Sequence, residues 1–207
     1  MKILFAADVH KDKNLIYKIV EAVKKEKPDL VVLAGDLTWF GEEDTGGLLK
    51  KLNELGVKTI VVPGNHEDPS IIELWKRKYN IIDLHGKYLK IGNVILFGFG
   101  GGNMPIFNIS EEDVREYLEK LKHVFKSEGI KILITHLHPH YTFSSKFGEG
   151  SKELFKFILK YQPDVHVFGH IHEGSGIEER IGRTLLLNVA RTIKILEIND
   201  RIRIKGP

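Results

Sequence analysis

Apolar residues fall along this chain in unbroken blocks rather than in strict alternation. The stretches KILFAA (2–7), DLVVLAG (29–35), KTIVVPG (58–64), IKILITH (130–136) and VHVFG (165–169) each read as a short strand. A continuous apolar run fits a strand buried on both faces, as in a parallel sheet covered by helices. Between these runs the period changes. Residues 12–26 carry Leu15, Ile16, Ile19, Val20 and Val23 at helical spacing, with Lys and Glu opposite. Residues 45–55 predict a shorter helix that Gly56 can stop. Asp68-Pro69 opens another, with Asp68 as N-cap and Pro69 as first helical residue. Ser110, with Asp113 three residues on, caps a helix expected to run to about Glu128, and residues 151–161 give one more.

Two regions break this alternation. KYLKIGNVILFGFG (87–100) reads as a hairpin about a tight Gly-Asn turn, followed by a glycine-rich loop over 98–105. The tail, at 176–181, 183–189, 193–198 and 201–205, reads as short antiparallel strands in a β-meander. A β-α-β-α-β front and a β-rich tail predict two packed sheets with helices outside them. The expected class is α/β, a four-layer α/β/β/α sandwich of two mixed sheets flanked by helices, with residues 1–207 as one domain.

Composition narrows the setting. A chain of 207 residues can bury a sizeable core, and its lack of Cys excludes disulfides and thiolate metal sites. That suits a reducing cytosol, so a cytoplasmic location is expected. The N-terminal MKILFAAD is too short an apolar run for a signal peptide, and no segment reaches the ~20 apolar residues of a membrane span. The net charge of +3, from 31 basic against 28 acidic residues, is mild and mixed and does not argue for nucleic acid, which usually wants a clustered basic face. Richness in Lys, Glu and Ile fits a heat-adapted protein, and equally an AT-rich genome.

Polar residues end each of the five strand-like runs. They are Asp8 and His10, Asp36, Asn65 and His66, His136, and His170 with His172. Ligands bind at the carboxyl ends of strands in open α/β sheets, so these residues are expected to converge on one crevice. Imidazole, carboxylate and amide oxygen donors together suit Mn, Fe, Zn or Ni. Asp8/His10 and His170/His172 are i, i+2 pairs, which in extended backbone point the same way. Gly35, Gly64 and Gly169 precede the polar groups and allow close approach. Seven candidate ligands exceed one tetrahedral ion and suit two ions sharing a carboxylate, roughly 3.5–4 Å apart.

Asp-x-His (8–10), Gly-Asp (35–36), Gly-Asn-His-Glu (64–67), Thr-His (135–136) and Gly-His-x-His (169–172) occur in that order. This set resembles the motifs of the calcineurin-like metallophosphoesterases, over residues 8 to 172. FGHIHEGSG and the later NVA (188–190) resemble a branch of small metallophosphoesterase-domain proteins related to class III cyclic-nucleotide phosphodiesterases. The resemblance implies that Asp8, His10 and His172 hold one divalent ion and that Asn65, His136 and His170 hold a second. Asp36 would bridge them, with Mn foremost and Fe, Zn or Ni as alternatives. His66 would act as general acid or transition-state stabiliser, and a metal-bridging hydroxide would attack phosphorus in line. The phosphoprotein phosphatases of this superfamily carry Asp-Arg-Gly after the Gly-Asp block, whereas here Leu37-Thr38-Trp39 follows Asp36. The missing acid and Arg point to small phosphodiesters or monoesters as substrates, and leave His66 without a visible partner.

The expected activity is therefore hydrolysis of a small or nucleotide-type phosphodiester, with a nuclease or a non-catalytic protein-binding scaffold as alternatives. A small phosphoester is the expected partner, with no membrane, nucleic acid disfavoured and the oligomeric state open. Asn65 and His138 are candidates for contact with substrate. His140 is either loop polarity or a further phosphate contact. Glu67 and Glu173 either orient neighbouring ligands or face solvent. Trp39 and Phe40 either wall the cleft for a flat ring or pack elsewhere. His85, His123 and His166 carry no expected role.

Overall fold

The computed structural model describes residues 1–199 and 202–205. The first sheet contains β1 (Lys2–Ala6), β2 (Leu30–Ala34), β3 (Lys58–Val62) and β4 (Ile82–Asp83), all parallel. The second is built on β5 (Lys87–Ile91), β6 (Val94–Phe99), β7 (Ile130–Thr135), β8 (Val165–Phe168), β9 (Glu178–Ile181) and β10 (Thr184–Asn188). Strands β11 (Ile193–Ile198) and β12 (Ile202–Lys205) return to the first sheet, giving the order β12-β11-β1-β2-β3-β4. The second sheet runs β5-β6-β7-β8-β10-β9.

Three cores separate four layers. In β1, Ile3 and Phe5 point between the sheets, as does Ala7 just beyond it, while Leu4 and Ala6 point toward the helices. Both faces are buried, which is why this run is continuously apolar. Helices α1 (Lys13–Glu26), α2 (Leu48–Glu54) and α3 (Pro69–Tyr79) cover the first sheet through Leu15, Ile19, Leu52 and the fully buried Trp75. Helices α4 (Glu111–Leu121) and α5 (Lys152–Tyr161) cover the second through Val114, Leu118 and Leu154. Local signals set the helix starts. Asp12 accepts from Asn14 and Leu15 amides, Asp68 from the Ser70 amide, and Ser110 with Asp113 forms a reciprocal capping box. The four-layer sandwich of two mixed sheets is therefore the observed fold.

Several details differ from the sequence reading. The tail is not one meander. It is two hairpins, and each joins a different sheet: β9–β10 pairs with β8, and β11–β12 pairs with β1. β10 runs parallel to β8, and its outer neighbour β9 pairs with it antiparallel. The helix opened by Ser110 stops at Leu121 and tightens into a 3₁₀ turn over Lys122–Lys126. β4 carries only two residues, too few for a periodic signal. β12 is an edge strand with Arg203 and Lys205 exposed, and the expected first residue of that strand, Arg201, lies outside the described residues. Among the described residues no helix is long and apolar enough to cross a membrane.

Candidate metal centre

The carboxyl ends of β1, β2 and β3 meet those of β7 and β8 across the join of the two sheets. Backbone bonds fasten this edge: the Asp8 amide donates to Gly35 O (2.9 Å), His10 to Asp36 O (3.0 Å) and Gly169 to His136 O (3.1 Å). The seven expected ligands converge there. Asp36 Oδ2 lies centrally, 3.7 Å from His10 Nε2, 3.3 Å from His136 Nε2 and 3.8 Å from His66 Nε2. On one side Asp8 Oδ1 is 3.1 Å from His172 Nε2 and 4.0 Å from His10 Nε2. On the other, His136 Nε2 is 3.1 Å from Asn65 Oδ1 and 3.3 Å from His170 Nδ1. Asp8, Asp36 and His136 are buried, and His172 is the most open member of the set.

The route to convergence is not the expected one. Asp8 and His10 do not lie in extended backbone. Both adopt left-handed conformations, at φ 53° and 45°, as do Asp36 at 53° and His170 at 70°. The i, i+2 rule for strands therefore does not explain the two pairs. Instead the chain leaves β1, β2 and β8 through sharp left-handed bends that turn these side chains inward. Such φ values are costly for non-glycine residues and concentrate at functional sites. The glycines do serve close approach. A Cβ on Gly64 would stand 2.0 Å from Asp36 Oδ1, and one on Gly169 would stand 2.3 Å from Asp8 Oδ2.

Outer hydrogen bonds fix which nitrogen faces the cluster. His10 Nδ1 donates to Thr38 O (2.9 Å) and His136 Nδ1 to Ala34 O (2.9 Å), so each Nε2 turns its lone pair inward. His170 is reversed: Nε2 donates to Asn103 Oδ1 (2.8 Å), leaving the Nδ1 lone pair inward. His66 differs from all three. Its Nδ1 accepts from the Phe40 amide (3.2 Å), so the neutral ring carries its proton on Nε2, toward Asp36. Phe40 N–H is thus the partner that the sequence did not reveal.

The electrostatics favour a cation. Burial opposes charge on His136, yet the carboxylates of Asp36 and Asp8 lift it to about 10, so its inner nitrogen faces positive charge, either a proton or a metal ion that displaces that proton and takes the lone pair. Burial would raise Asp36, but His136 and the His66 amide hold it well below the usual carboxylate range. Burial keeps His170 neutral, at about 3, as a ligand must be. Convergent lone pairs of oxygen and nitrogen around two carboxylates fit divalent metal ions, with no thiolate present.

Glu67 is fully buried beneath this layer. Its Oε2 accepts from the amides of Asp36 (2.8 Å) and Gly64 (2.7 Å), and its Oε1 from the amide and hydroxyl of Thr38 (both 2.9 Å). Burial and the nearby Asp36 push its carboxyl upward, but both oxygens already accept from two donors each, which leaves no place for a proton and holds the group ionised. It ties the bend after β2 to the bend after β3. Arg191 does the same for the first bend, donating to Asp8 O (3.3 Å), Val9 O (3.2 Å) and Asp12 Oδ2 (2.5 Å). Arg191 and Asn103 carried no signal in the sequence, since each acts across more than sixty positions. His138, expected to contact substrate, is instead wholly buried behind His170, with Nε2 on Gly148 O (3.1 Å). His166, given no role, is buried and donates from Nε2 to the Thr135 hydroxyl (2.8 Å). Glu173 is exposed.

With this arrangement stands the family. The calcineurin-like phosphoesterase model matches residues 1–174, and the chain belongs to that family. An uncharacterized protein of Methanocaldococcus jannaschii is 32% identical over 91% of this chain and 87% of its own length. One component of the nuclease SbcCD from Staphylococcus saprophyticus is 27% identical over 97% of this chain, which spans 66% of that component. Among solved structures, a dimetal phosphatase from Danio rerio superposes with a TM-score of 0.77 at 13% identity, covering 100% of this chain and 95% of that one. An archaeal phosphodiesterase superposes with a TM-score of 0.60 at 19% identity, covering 99% of both chains. These two structural likenesses concern the fold alone.

Proposed function

We propose that this protein is a dinuclear metal-dependent phosphodiesterase acting on small phosphodiesters. The observation that carries the reading is the opposed orientation of the imidazoles. His10, His136 and His170 turn lone pairs inward, whereas His66 turns an N–H inward. The first three are built to ligate, and the fourth is built to donate.

Asp8, His10 and His172 would hold one ion, Asn65, His136 and His170 the other, and Asp36, central to both groups, would bridge. Mn is the first choice of metal, with Fe, Zn or Ni as alternatives. When bound, divalent ions supply Lewis acidity, neutralising phosphoryl oxygens and lowering the pKa of a water. The protein's part is orientation. His66 Nε2–H donates to an oxygen of the reacting phosphoryl group as charge grows there. Because Phe40 N–H occupies Nδ1, the ring acts as a neutral donor that stabilises the transition state, in preference to a charged general acid. Glu67 and Arg191 hold the bends that carry Asp36 and Asp8.

The likeness to a nuclease component favours a second reading, with nucleic acid as substrate. The cleft margin after Asp36 opposes it, since Lys11 and Lys78 there are already paired with Glu42, Asp44 and Glu43 and leave one carboxylate in excess where a polyanion would need free cations.

The test is a Mn²⁺-supplemented screen of phosphomonoesters, linear diesters, cyclic nucleotides and DNA. Diester turnover abolished by chelator is expected, with close to two ions per chain. His66→Ala is expected to lose roughly 10²-fold or more while keeping its metal, and His66→Gln, which retains an N–H donor, to recover part of that. Equal turnover by His66→Ala and the parent would remove His66 from the mechanism.

A further inference from the structure

Resting on the phosphodiesterase reading, the surroundings of His66 point to the nature of the group that leaves. Four large apolar side chains stand open to solvent beside it: Trp39 (41% exposed), Phe40 (70%), Met104 (56%) and Ile106 (44%). They come from two loops that meet. A Cβ on Gly41 would touch Ile106 Cδ1 at 3.2 Å, so the Trp39–Phe40 loop and the Met104–Ile106 loop form one continuous lip. Both loops are fastened to the Asn65-His66 backbone. The Gly41 amide donates to His66 O (2.7 Å), and the Ile106 and Phe107 amides donate to Asn65 O (2.6 and 2.9 Å).

The rings are aimed at His66. The Phe40 ring lies 4.7 Å from the His66 ring and the Trp39 ring lies 5.1 Å from it, both edge-on. Trp39 is locked in place, stacked on His10 at 3.9 Å with its indole N–H on His10 O (3.0 Å). Phe40 is held at φ 43°, a conformation unfavourable for a bulky residue. A strained, mostly exposed phenyl contributes little to a core, and strain of this kind persists where it serves a site. Beyond the lip come exposed Glu42, Glu43 and Asp44, which pair with Lys11 and Lys78 and leave one carboxylate in excess, so the margin favours an uncharged leaving group over an anionic one.

We propose that Trp39, Phe40 and Ile106 form the subsite for the departing alcohol, and that this alcohol is uncharged and carries a flat aromatic ring. Trp39 and Phe40 give it ring faces, Ile106 closes the far wall, and His66 Nε2–H meets its oxygen. The lip therefore selects the leaving group, while the metal ligands select the phosphoryl group.

The test compares methyl 2-phenylethyl phosphate with methyl butyl phosphate, whose larger leaving alcohols are similar in acidity, by chromatography of the alcohols released from Mn²⁺-loaded protein. The parent is expected to favour the aromatic ester in kcat/KM by roughly 10-fold, the worth of one stacked ring. That ratio, read within each protein so that any change at His66 cancels, is expected to fall to near unity in Phe40→Ala and Phe40→Gly and to persist in Phe40→Tyr. Phe40→Gly relieves the positive φ and guards against a folding defect. A parent ratio near unity, or an unchanged ratio in both truncations, overturns the subsite. If neither ester is cleaved, the phosphodiesterase reading falls, and the subsite is judged by calorimetry of phosphonates. 2-Phenylethylphosphonate must then bind about 10-fold more tightly than butylphosphonate, and Phe40→Ala must erase the difference. Equal binding overturns the proposal.

Discussion

Replacing Glu67 by glutamine changes the side chain by one atom, yet the structure makes it a severe substitution. Both carboxylate oxygens are fully used. One accepts from the Asp36 and Gly64 amides, the other from the Thr38 amide and hydroxyl. In its better orientation Gln keeps its oxygen on the first pair and can donate to the Thr38 hydroxyl. Its NH₂ then meets the Thr38 N–H head on. Orphaning one buried amide costs about 1–3 kcal/mol, and turning two charge-assisted bonds into neutral ones costs roughly 1 kcal/mol each. The sum is about 3–5 kcal/mol, a large fraction of the ~5–15 kcal/mol that holds a typical domain together. The bonds lost also set the bends presenting Asp36 and Asn65, so metal affinity is expected to fall with stability. Urea unfolding of chelated parent and Glu67→Gln at pH 7 reads the first effect, and calorimetric Mn²⁺ titration reads the second. A midpoint within about 0.5 kcal/mol of the parent, with both ions still bound, would refute the assignment of Glu67 as an ionised clamp.

Three further outcomes are expected. Gly64→Ala places a Cβ 2.0 Å from Asp36 Oδ1, so metal analysis should find fewer than two ions per chain; full loading would show that the bend can yield. Asn103→Ala frees the outer nitrogen of His170 and should weaken one of two Mn²⁺ sites by roughly 10–100-fold in chelator competition, with Asn103→Asp retaining affinity; equal loss in both variants would point to loop damage instead. Burial keeps His166 neutral in the fold, at about 3 against 6.5 unfolded, so its contribution is full above pH 6.5 and is lost as pH falls toward 3. That loss is on the order of 4 kcal/mol at pH 3. In His166→Met the Thr135 hydroxyl keeps its bond to Leu137 O, so acid unfolding of chelated protein should become shallower, and a slope equal to the parent's would contradict this reading.

Much of the site was legible because its residues recur at strand ends with fixed neighbours. Asp8, Asp36, Asn65, His136 and His170 each end an apolar run, and side chains at that edge of adjacent parallel strands must lie near one another. The helix starts at Asp68 and Ser110 were legible for a similarly local reason, since each bonds to an amide only two or three residues away. The partition of the tail between two sheets was not. β9–β10 and β11–β12 each pair a more exposed strand with a more buried one, and only the edges left free by β8 and β1 decide where each hairpin goes.

By itself, then, the sequence determined most of the strands and helices and the chemical types of the candidate ligands, because those depend on local periodicity and on residue identity. The tertiary structure decided which nitrogen of each histidine faces inward. Thr38 O, Ala34 O, Asn103 Oδ1 and Phe40 N make that choice from 26 to 102 positions away. A tautomer depends on the partner of the far nitrogen, and that partner is defined only once the two sheets have closed.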